Sequence, residues 1–212
     1  MADILYGMNT HLPPPDHLDR LVAAGLRVAR VDFNWAFIQP APDRYEWAQT
    51  DRLLAEAEAR TLWLYPTLAH PPAWASGGGD WNSLPTSADL WYGFVASVVS
   101  RYRDRISAWS LWNEPNQGPI TPSQYVQVVL EPGARAIRTY APGSLVCGPE
   151  LATEGDWPTW FQMTSRGTAC SSTVSVLGRI STGSEVSAVL HRIFQYKLRV
   201  GRPLIFGIVP SP

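Results

Sequence analysis

Short apolar runs that are typical of buried β-strands recur along the chain, and a helical pattern follows most of them. Strands that alternate with helices pair in parallel through right-handed crossovers, so the pattern predicts an α/β protein with a parallel sheet. Continuous apolar character also fits strands that are covered on both faces. The runs lie at residues 3–9, 26–35, 61–68, 106–113, 144–150, 172–178 and 203–209.

Two architectures satisfy this alternation: a (β/α)8 barrel of the TIM type and an open doubly wound sheet. The dinucleotide-binding fingerprint is absent, because the glycines at 77–79 lie in a loop among Trp, Ser and Asp rather than at a strand-to-helix turn. The strand-to-helix connections 36–49, 69–85 and 114–120 are long, and barrel active sites are built from such loops. The sequence therefore predicts the TIM-barrel type.

The number of βα units bears on domain organisation. We recognise about seven units, and a typical barrel needs about 250 residues, whereas this chain has 212. We therefore expect a single (β/α) barrel domain over residues 1–212 that lacks the C-terminal barrel unit. The first and last strands would then be open edges, through which the chain could self-associate.

One helix start is marked with particular clarity. Thr121, Pro122 and Gln124 supply an N-cap residue, a proline in the first turn and a capping-box partner. Pro132 is expected to kink or end the helix that begins there.

Composition excludes several classes of partner. The net charge is −1 and charged residues make up 17% of the chain, so no basic surface for nucleic acid is expected. No stretch approaches the ~18 consecutive apolar residues of a membrane span, and the start, MADILYGMN, has no basic region and no long apolar run like those of a signal peptide. The chain is expected to be soluble and not to associate with membranes, and its cellular location stays unassigned.

The two cysteines, Cys147 and Cys170, are not arranged in a metal-binding spacing. They are interpreted as two small buried residues. A disulfide between them is the alternative.

The stretch SLWNEPNQG, residues 110–118, places Glu114 directly after an apolar strand. Pro115 cannot donate to a strand ladder and so ends pairing there. A carboxyl group with apolar neighbours is desolvated, which raises its pKa and suits it to general acid catalysis near neutral pH. The structural alternative is a glutamate that caps a helix or pairs with an arginine.

The run Trp112-Asn113-Glu114-Pro115-Asn116 resembles the fourth-strand signature of the retaining (β/α)8 glycoside hydrolases of clan A, in their β-xylosidase and cellulase-like branches. The segments YGMN, RVDFNW, LAHPPAW and GPELA at other strand ends are also similar to that group. The resemblance covers residues 4 to 165 well and the rest weakly.

This resemblance implies roles for three residues. Glu114 would be the general acid/base, and Asn113 would hydrogen-bond the sugar 2-hydroxyl, a contact that strengthens in the transition state. Arg30 matches the second-strand arginine that orders the nucleophile, with an ion pair to Asp32 as its alternative. The implied ligand is an oligo- or polysaccharide or a small β-glycoside, and no metal or organic cofactor is implied.

Other residues beside the long loops are candidates for substrate binding. An aromatic ring can pack on the C–H face of a pyranose, and ordinary packing is the alternative for each tryptophan. His70 matches a polar third-strand position, and a hydrogen-bonded loop histidine is equally consistent with the sequence. The substrate-binding candidates are Arg30, Trp35, His70, Trp74 and Trp112, with Trp81 as a further possible platform.

The match fails where the second carboxylate should be. Retaining hydrolysis needs a nucleophile about 5 Å from the acid/base, and the resemblance places it at the end of the seventh strand. There the sequence reads PLIFGI, Ile208 falls at the expected position, and no acidic residue follows Glu185. Glu150, after the fifth strand, is a possible substitute, whereas Glu154 and Asp156 fit helix N-termini better.

Two functional readings stay open. The first is a domain that hydrolyses β-O-glycosidic bonds with Glu114 as acid/base. The second is a non-catalytic carbohydrate-binding relative, or an inactive fragment, that keeps the aromatic cleft without the nucleophile.

Overall fold

The computed structural model describes residues 7–80, 82–152, 156–166, 175–180 and 205–210. Its strands are β1 Gly7–His11, β2 Val28–Asn34, β3 Trp63–Ala69, β4 Ala108–Leu111, β5 Leu145–Cys147, β6 Leu151–Ala152, β7 Ser175–Ile180 and β8 Ile205–Pro210. Its helices are α1 Pro15–Ala23, α2 Trp35–Ile38, α3 Ala48–Glu58, α4 Ala73–Ser76, α5 Ala88–Tyr102, α6 Pro122–Tyr125, α7 Glu131–Tyr140 and α8 Trp157–Arg166.

The strands form one parallel sheet in the order β5-β4-β3-β2-β1-β8-β7-β6. The two ends of this order, β5 and β6, belong to one short stretch of chain, and a parallel bridge between Asn113 and Glu150 links that stretch to the end of β4. The sheet therefore closes on itself as a barrel, and β5 with β6 share one of seven positions around the ring. This confirms the predicted incomplete TIM-barrel type of fold.

The expectation of two open edges is wrong in this structure. β1 pairs in parallel with β8, with Gly7 opposite Gly207 and Met8 opposite Ile208. Because β1 and β8 pair their backbone N–H and C=O groups with each other, these strands are not open edges through which the chain could self-associate.

The strand alternation sorts polar from apolar side chains along β2. Val31 and Phe33 are fully buried in the layer between sheet and helices. Arg30 and Asp32 alternate with them and therefore point into the barrel. The floor of the barrel interior is small and mostly apolar, formed by Val28, Tyr65, Ala108 and Cys147 from four successive strands.

The helix that begins at Thr121 has the predicted capping box: the Thr121 hydroxyl accepts from Gln124 N, and the Gln124 side chain accepts from Thr121 N. It does not end at Pro132. A π-helical turn, Val126–Leu130, precedes the proline, and α7 continues beyond it. Such a turn is one of the known ways for a helix to absorb an irregularity without breaking.

Among the residues that the structure describes, no helix combines the length and the apolar character that crossing a membrane requires. Cys147 is buried in β5, while Cys170 lies outside the described residues, so their pairing stays untested. Asp156 accepts a hydrogen bond from Thr159 N at the start of α8, as expected for a helix N-terminal acid, and Glu154 lies outside the described residues.

Helices α5 and α7 approach each other closely at Gly133. A Cβ atom there would lie 2.8 Å from Leu111 Cδ2 and 2.9 Å from Trp91 Nε1, and both side chains are fully buried. Trp91 Nε1 also donates to the carbonyl of Val129 at 2.8 Å, so the indole has no freedom to move away. Glycine at this position is required by packing.

We expect Gly133→Ala to destabilise the fold by about 1–3 kcal/mol through overpacking, reduced by up to about 1 kcal/mol of gained helix propensity. Gly93→Ala is the matched control, because Gly93 is an exposed glycine within α5 and a Cβ there meets nothing within 4 Å. This control should stabilise the protein by up to about 1 kcal/mol. Urea unfolding of both variants measures the difference, and equal effects would contradict the packing argument.

Candidate active site

The end of β4 holds Glu114 on an irregular backbone. Trp112 and Glu114 both have left-handed conformations, with φ of 76° and 45°. Such conformations cost non-glycine residues of order 1–3 kcal/mol and are concentrated at functional sites. Glu114 N donates to the carbonyl of Glu150 at 2.9 Å, and the Glu114 carbonyl accepts from Gln117 N at 3.0 Å. The backbone of this half-buried glutamate is therefore fixed to the neighbouring strand.

Left-handed backbone occurs at two other strand ends on the same rim of the barrel. His11 at the end of β1 has a φ of 55°, and His70 directly after β3 has a φ of 62°. The His70 carbonyl accepts from Ala36 N at 3.0 Å, which ties this turn to the start of α2. Since the C-terminal ends of parallel strands meet at one face, the irregular residues surround one mouth.

Arg30 points into the barrel interior, and the residue is only 2% exposed. It donates to Glu150 Oε2 from Nε at 3.2 Å and from Nη2 at 2.7 Å. It also donates to Asp32 Oδ1, and to the Asn9 side chain at 3.3 Å. Burial lowers the pKa of Arg30, but the charges of Glu150 and Asp32 outweigh it and raise that pKa, so the group stays cationic.

Arg30 also fixes the orientation of Asn113. Its Nη2 donates to Asn113 Oδ1 at 2.7 Å. Because a guanidinium can only donate, the amide oxygen of Asn113 must face it, and the amide NH2 group points away. Asn113 thus presents a hydrogen-bond donor next to Glu114.

Glu150 has no exposed surface. Besides the two bonds from Arg30, its carboxylate accepts from the Thr67 hydroxyl at 3.1 Å. A buried carboxylate that is held in this way acts as a counter-ion of Arg30. It does not reach the mouth, so the structure gives no support to Glu150 as the substitute second carboxylate.

His11 and Asp32 form a further pair at the mouth, with 2.9 Å between His11 Nδ1 and Asp32 Oδ2. The hydrogen bond with Asp32 raises the pKa of His11 above 6.5, burial opposes the rise, and the charges of Asp32 and Glu114 add to it. Burial would raise the pKa of Asp32, but the hydrogen bond from His11 and the charge of Arg30 lower it overall. Sequence reasoning missed this pair, although Asp32 lies on the inward face of β2 and His11 follows β1.

The tryptophans divide into core and rim residues. Trp35 is fully buried and stacks on Phe94 with 4.7 Å between ring centroids. Trp112 is also fully buried, with its Nε1 donating to Asn82 Oδ1 at 3.2 Å. A fully buried indole presents no face to a sugar, so the platform role expected for Trp35 and the direct substrate contact expected for Trp112 are corrected to core packing.

Two aromatic side chains on the strand-to-helix side keep some exposed surface. Trp74, in α4, is half-buried and donates from Nε1 to the carbonyl of Gln39 at 3.2 Å. Phe37, in α2, is 54% exposed and was not singled out from the sequence. Trp81 lies outside the described residues.

A surface cleft of about 440 Å³ lies at the opposite end of the barrel, where residues 103–107 and 140–144 form helix-to-strand connections. It is remote from Glu114 and carries none of the candidate residues. Within the part of the chain that the structure describes, no cluster of three or more His, Cys, Asp or Glu side chains is arranged to hold a metal ion.

No protein-family model matches the sequence, and no curated protein matches it. Solved structures do match the fold. A family 39 glycoside hydrolase from Bacteroides cellulosilyticus WH2 superposes with a TM-score of 0.64 at 17% identity, over 96% of this chain and 55% of that one. A trimodular endoglucanase of subfamily GH5_4 gives a TM-score of 0.69 at 13% identity, over 99% of this chain and 49% of that one.

A third structure is similar, the family 30 subfamily 8 xylanase from Clostridium acetobutylicum, with a TM-score of 0.60, 14% identity, and coverage of 97% of this chain and 63% of that one. The chain thus spans about half to two thirds of the length of these structures. At such low identity the likeness establishes the fold alone. The resemblance to clan A glycoside hydrolases is confirmed at the level of the fold, which is an α/β barrel like that of these structures.

We expect Arg30→Met to destabilise the protein by about 3–5 kcal/mol at neutral pH, because it leaves Glu150 and Asp32 as buried or half-buried charges without their cation. Arg20→Met is the matched control, since the Arg20–Asp16 pair on α1 is exposed and should contribute less than about 1 kcal/mol. Chemical unfolding measures both. Similar losses in the two variants would show that the internal ion cluster is not important for stability.

The His11–Asp32 pair gives a second expectation. NMR titration of the imidazole should place the pKa of His11 above 6.5, and Asp32→Asn should lower it. Because the folded-state pKa is raised, the stabilisation from protonated His11 is fully present below its unfolded value of 6.5 and is lost as the pH rises through the folded value. The His17→Asn variant lacks one imidazole and so helps to assign the His11 signal. A His11 pKa that is unchanged in Asp32→Asn would contradict the pairing.

Proposed function

We propose that this chain is a glycoside-hydrolase-type domain that hydrolyses β-O-glycosidic bonds, with Glu114 as general acid/base. The observation that carries the proposal is the fixed arrangement at the end of β4. Arg30 orients the Asn113 amide at 2.7 Å, and the Glu114 backbone is bonded to Glu150 at 2.9 Å. Preorganised groups of this kind are what transition-state stabilisation requires.

In this proposal Glu114 protonates the departing glycosidic oxygen, and Asn113 donates from its NH2 group to the sugar 2-hydroxyl. The second contact strengthens as positive charge develops on the ring. Arg30 does not touch the substrate and acts as a positioning residue for Asn113. In this proposal the direct substrate contact predicted for Arg30 from the sequence is replaced by an indirect role through Asn113.

The proposed ligand is an oligo- or polysaccharide or a small β-glycoside. Trp74 and Phe37 are candidate platforms for sugar rings, because both keep exposed aromatic surface on the strand-to-helix side. His70 lies at the same rim and is a candidate polar contact. The glycoside hydrolases of similar fold make a saccharide the best-supported class of ligand.

The alternative function is carbohydrate binding without turnover, or an inactive fragment. It is favoured by one specific observation: β8, Ile205–Pro210, carries no carboxylate where a retaining nucleophile would be expected. A binding relative would keep the Asn113 donor and the aromatic rim and would need no second acid.

We expect Glu114→Gln to lower kcat on aryl β-glycosides by about 10²-fold or more while leaving sugar binding in place. The substrates are 4-nitrophenyl β-xyloside, β-glucoside, β-galactoside and β-mannoside, with binding followed by calorimetry. Glu131→Gln, an exposed glutamate at the start of α7, is the control and should not change the rate. Saturable sugar binding with no hydrolysis by any variant would support the binding alternative, and neither binding nor hydrolysis by a folded protein would overturn both readings.

A further inference from the structure

The Asn116 side chain forms two hydrogen bonds with a single residue of β6. Its Nδ2 donates to the Ala152 carbonyl at 2.9 Å, and its Oδ1 accepts from Ala152 N at 2.9 Å. A side-chain carboxamide carries the same kinds of donor and acceptor as a peptide unit. Asn116 therefore pairs with Ala152 much as a residue of a neighbouring strand would.

These two bonds continue a ladder that the backbone begins. Glu114 N donates to the Glu150 carbonyl at 2.9 Å, and a parallel bridge links Asn113 to Glu150. In a parallel pair, alternate residues of a strand direct their backbone groups to the same neighbour, so Glu150 and Ala152 both face the end of β4. The first of them is paired by backbone, and the second by a side chain.

The backbone after Glu114 is not suited to extend this ladder. Pro115 has no N–H to donate, and Pro115–Gln117 form a 3-10 turn rather than an extended strand. Ala152 is only 1% exposed, and buried backbone groups without a partner are strongly unfavourable. The Asn116 amide supplies the pairing that the backbone of this segment does not.

The contact lies where the ring of strands closes. β5 and β6 are the two ends of the sheet order, and β6 pairs on its other side with β7, where Ala152 is opposite Leu177. The bonds from Glu114 N and from the Asn116 side chain join β6 to the end of β4. Asn116 thus helps to close the barrel at the strand end that carries Glu114.

Glu114 lies between the two points of attachment and has a strained backbone, with a φ of 45°. A non-glycine residue keeps such a conformation only where its surroundings enforce it. Glu114 N is held by Glu150, and two residues further along Asn116 is held by Ala152. Loss of the second attachment would let Glu114 relax towards an ordinary conformation and move its carboxyl group.

We propose that Asn116 is a positioning residue for Glu114, whose strand end it holds in the conformation that directs the carboxyl group to the leaving oxygen of a glycoside. This inference rests on the proposed function. The Asn116 amide is engaged by Ala152, so it acts through the backbone of Glu114 rather than on the substrate. A displacement of about 1 Å at a reacting group can cost about 10²-fold in rate.

A misplaced acid has a specific kinetic signature. A 2,4-dinitrophenyl group departs without being protonated, whereas a phenyl group needs the proton of the acid. The value of kcat/KM reports the steps up to the departure of the leaving group. A loss confined to phenyl glycosides therefore indicates the acid, and an equal loss on both substrates indicates general damage to the structure.

The test compares the wild type with Asn116→Ala on the phenyl and 2,4-dinitrophenyl forms of the β-xyloside, β-glucoside, β-galactoside and β-mannoside. We expect Asn116→Ala to lose about 10-fold or more in kcat/KM on the phenyl substrate and less than about 3-fold on the dinitrophenyl substrate. Thr121→Ala is the matched control, because it also removes a side-chain-to-backbone hydrogen bond in the connection that follows β4. It should leave the ratio of the two rates at the wild-type value.

A second variant covers the possibility of misfolding, which circular dichroism and thermal unfolding detect. Asn116→Asp keeps an acceptor for Ala152 N and loses the donor to the Ala152 carbonyl. We expect a smaller change of the same kind, and this variant replaces Asn116→Ala if the latter does not fold.

Amide hydrogen exchange followed by NMR tests the attachment without a substrate. The Glu114 N–H is bonded to the Glu150 carbonyl, and we expect it to exchange about 10-fold faster or more in Asn116→Ala. The amides of β2 and β3 should exchange at their wild-type rates. Equal acceleration of all these amides would indicate global destabilisation instead.

The outcomes separate the two proposals. An unchanged exchange rate at Glu114 in Asn116→Ala, or the same loss of kcat/KM on both leaving groups, would overturn the positioning role and leave Glu114 as acid/base. A folded wild type that hydrolyses none of the substrates would overturn the proposed function. Faster exchange confined to the end of β4 would then still support Asn116 as the residue that fixes this strand end, and unchanged or uniformly faster exchange would overturn that as well.

Discussion

The Arg30 guanidinium is the interaction on which the site depends. It lies inside the barrel, and its hydrogen bonds reach Asn9, Asp32, Asn113 and Glu150. Those partners belong to four different positions around the ring, so one cation links strands that are far apart in sequence. A buried cation is costly unless it is paired and hydrogen-bonded. Two of these partners also position residues at the mouth, since the Glu150 carbonyl accepts from Glu114 N and Asp32 is hydrogen-bonded to His11.

The polar cluster and the small apolar floor beneath it divide the barrel interior into layers. The floor, which includes Tyr65 and Cys147, supplies packing, whereas the layer above it is held together by charge and hydrogen bonds. Buried charge gives little net stability compared with apolar packing, but it specifies geometry strictly because any displaced partner leaves an uncompensated charge. The cluster is therefore better suited to fixing side-chain positions at the mouth than to stabilising the fold.

Local patterns were predicted from the sequence better than contacts between side chains that are far apart along the chain. The capping box at Thr121 is a local pattern, and it formed as expected. Arg30 and Asp32 were predictable as a pair because residues two apart share a strand face. The burial of Trp35 was not, since it depends on the packing of Phe94 from a helix far along the chain. The His11–Asp32 contact depends on a register shift between strands, which no pattern within either strand reveals.

The charge balance of the cluster explains why a histidine, rather than a third carboxylate, fits beside it. One guanidinium faces two carboxylates, Glu150 and Asp32, so the described interior carries an excess negative charge. A further carboxylate at the same place would meet like charge and resist ionisation. An imidazole meets the opposite situation, because Asp32 favours its cationic form. An imidazole at this place is therefore stabilised in its cationic form, whereas a further carboxylate would be penalised in its ionised form.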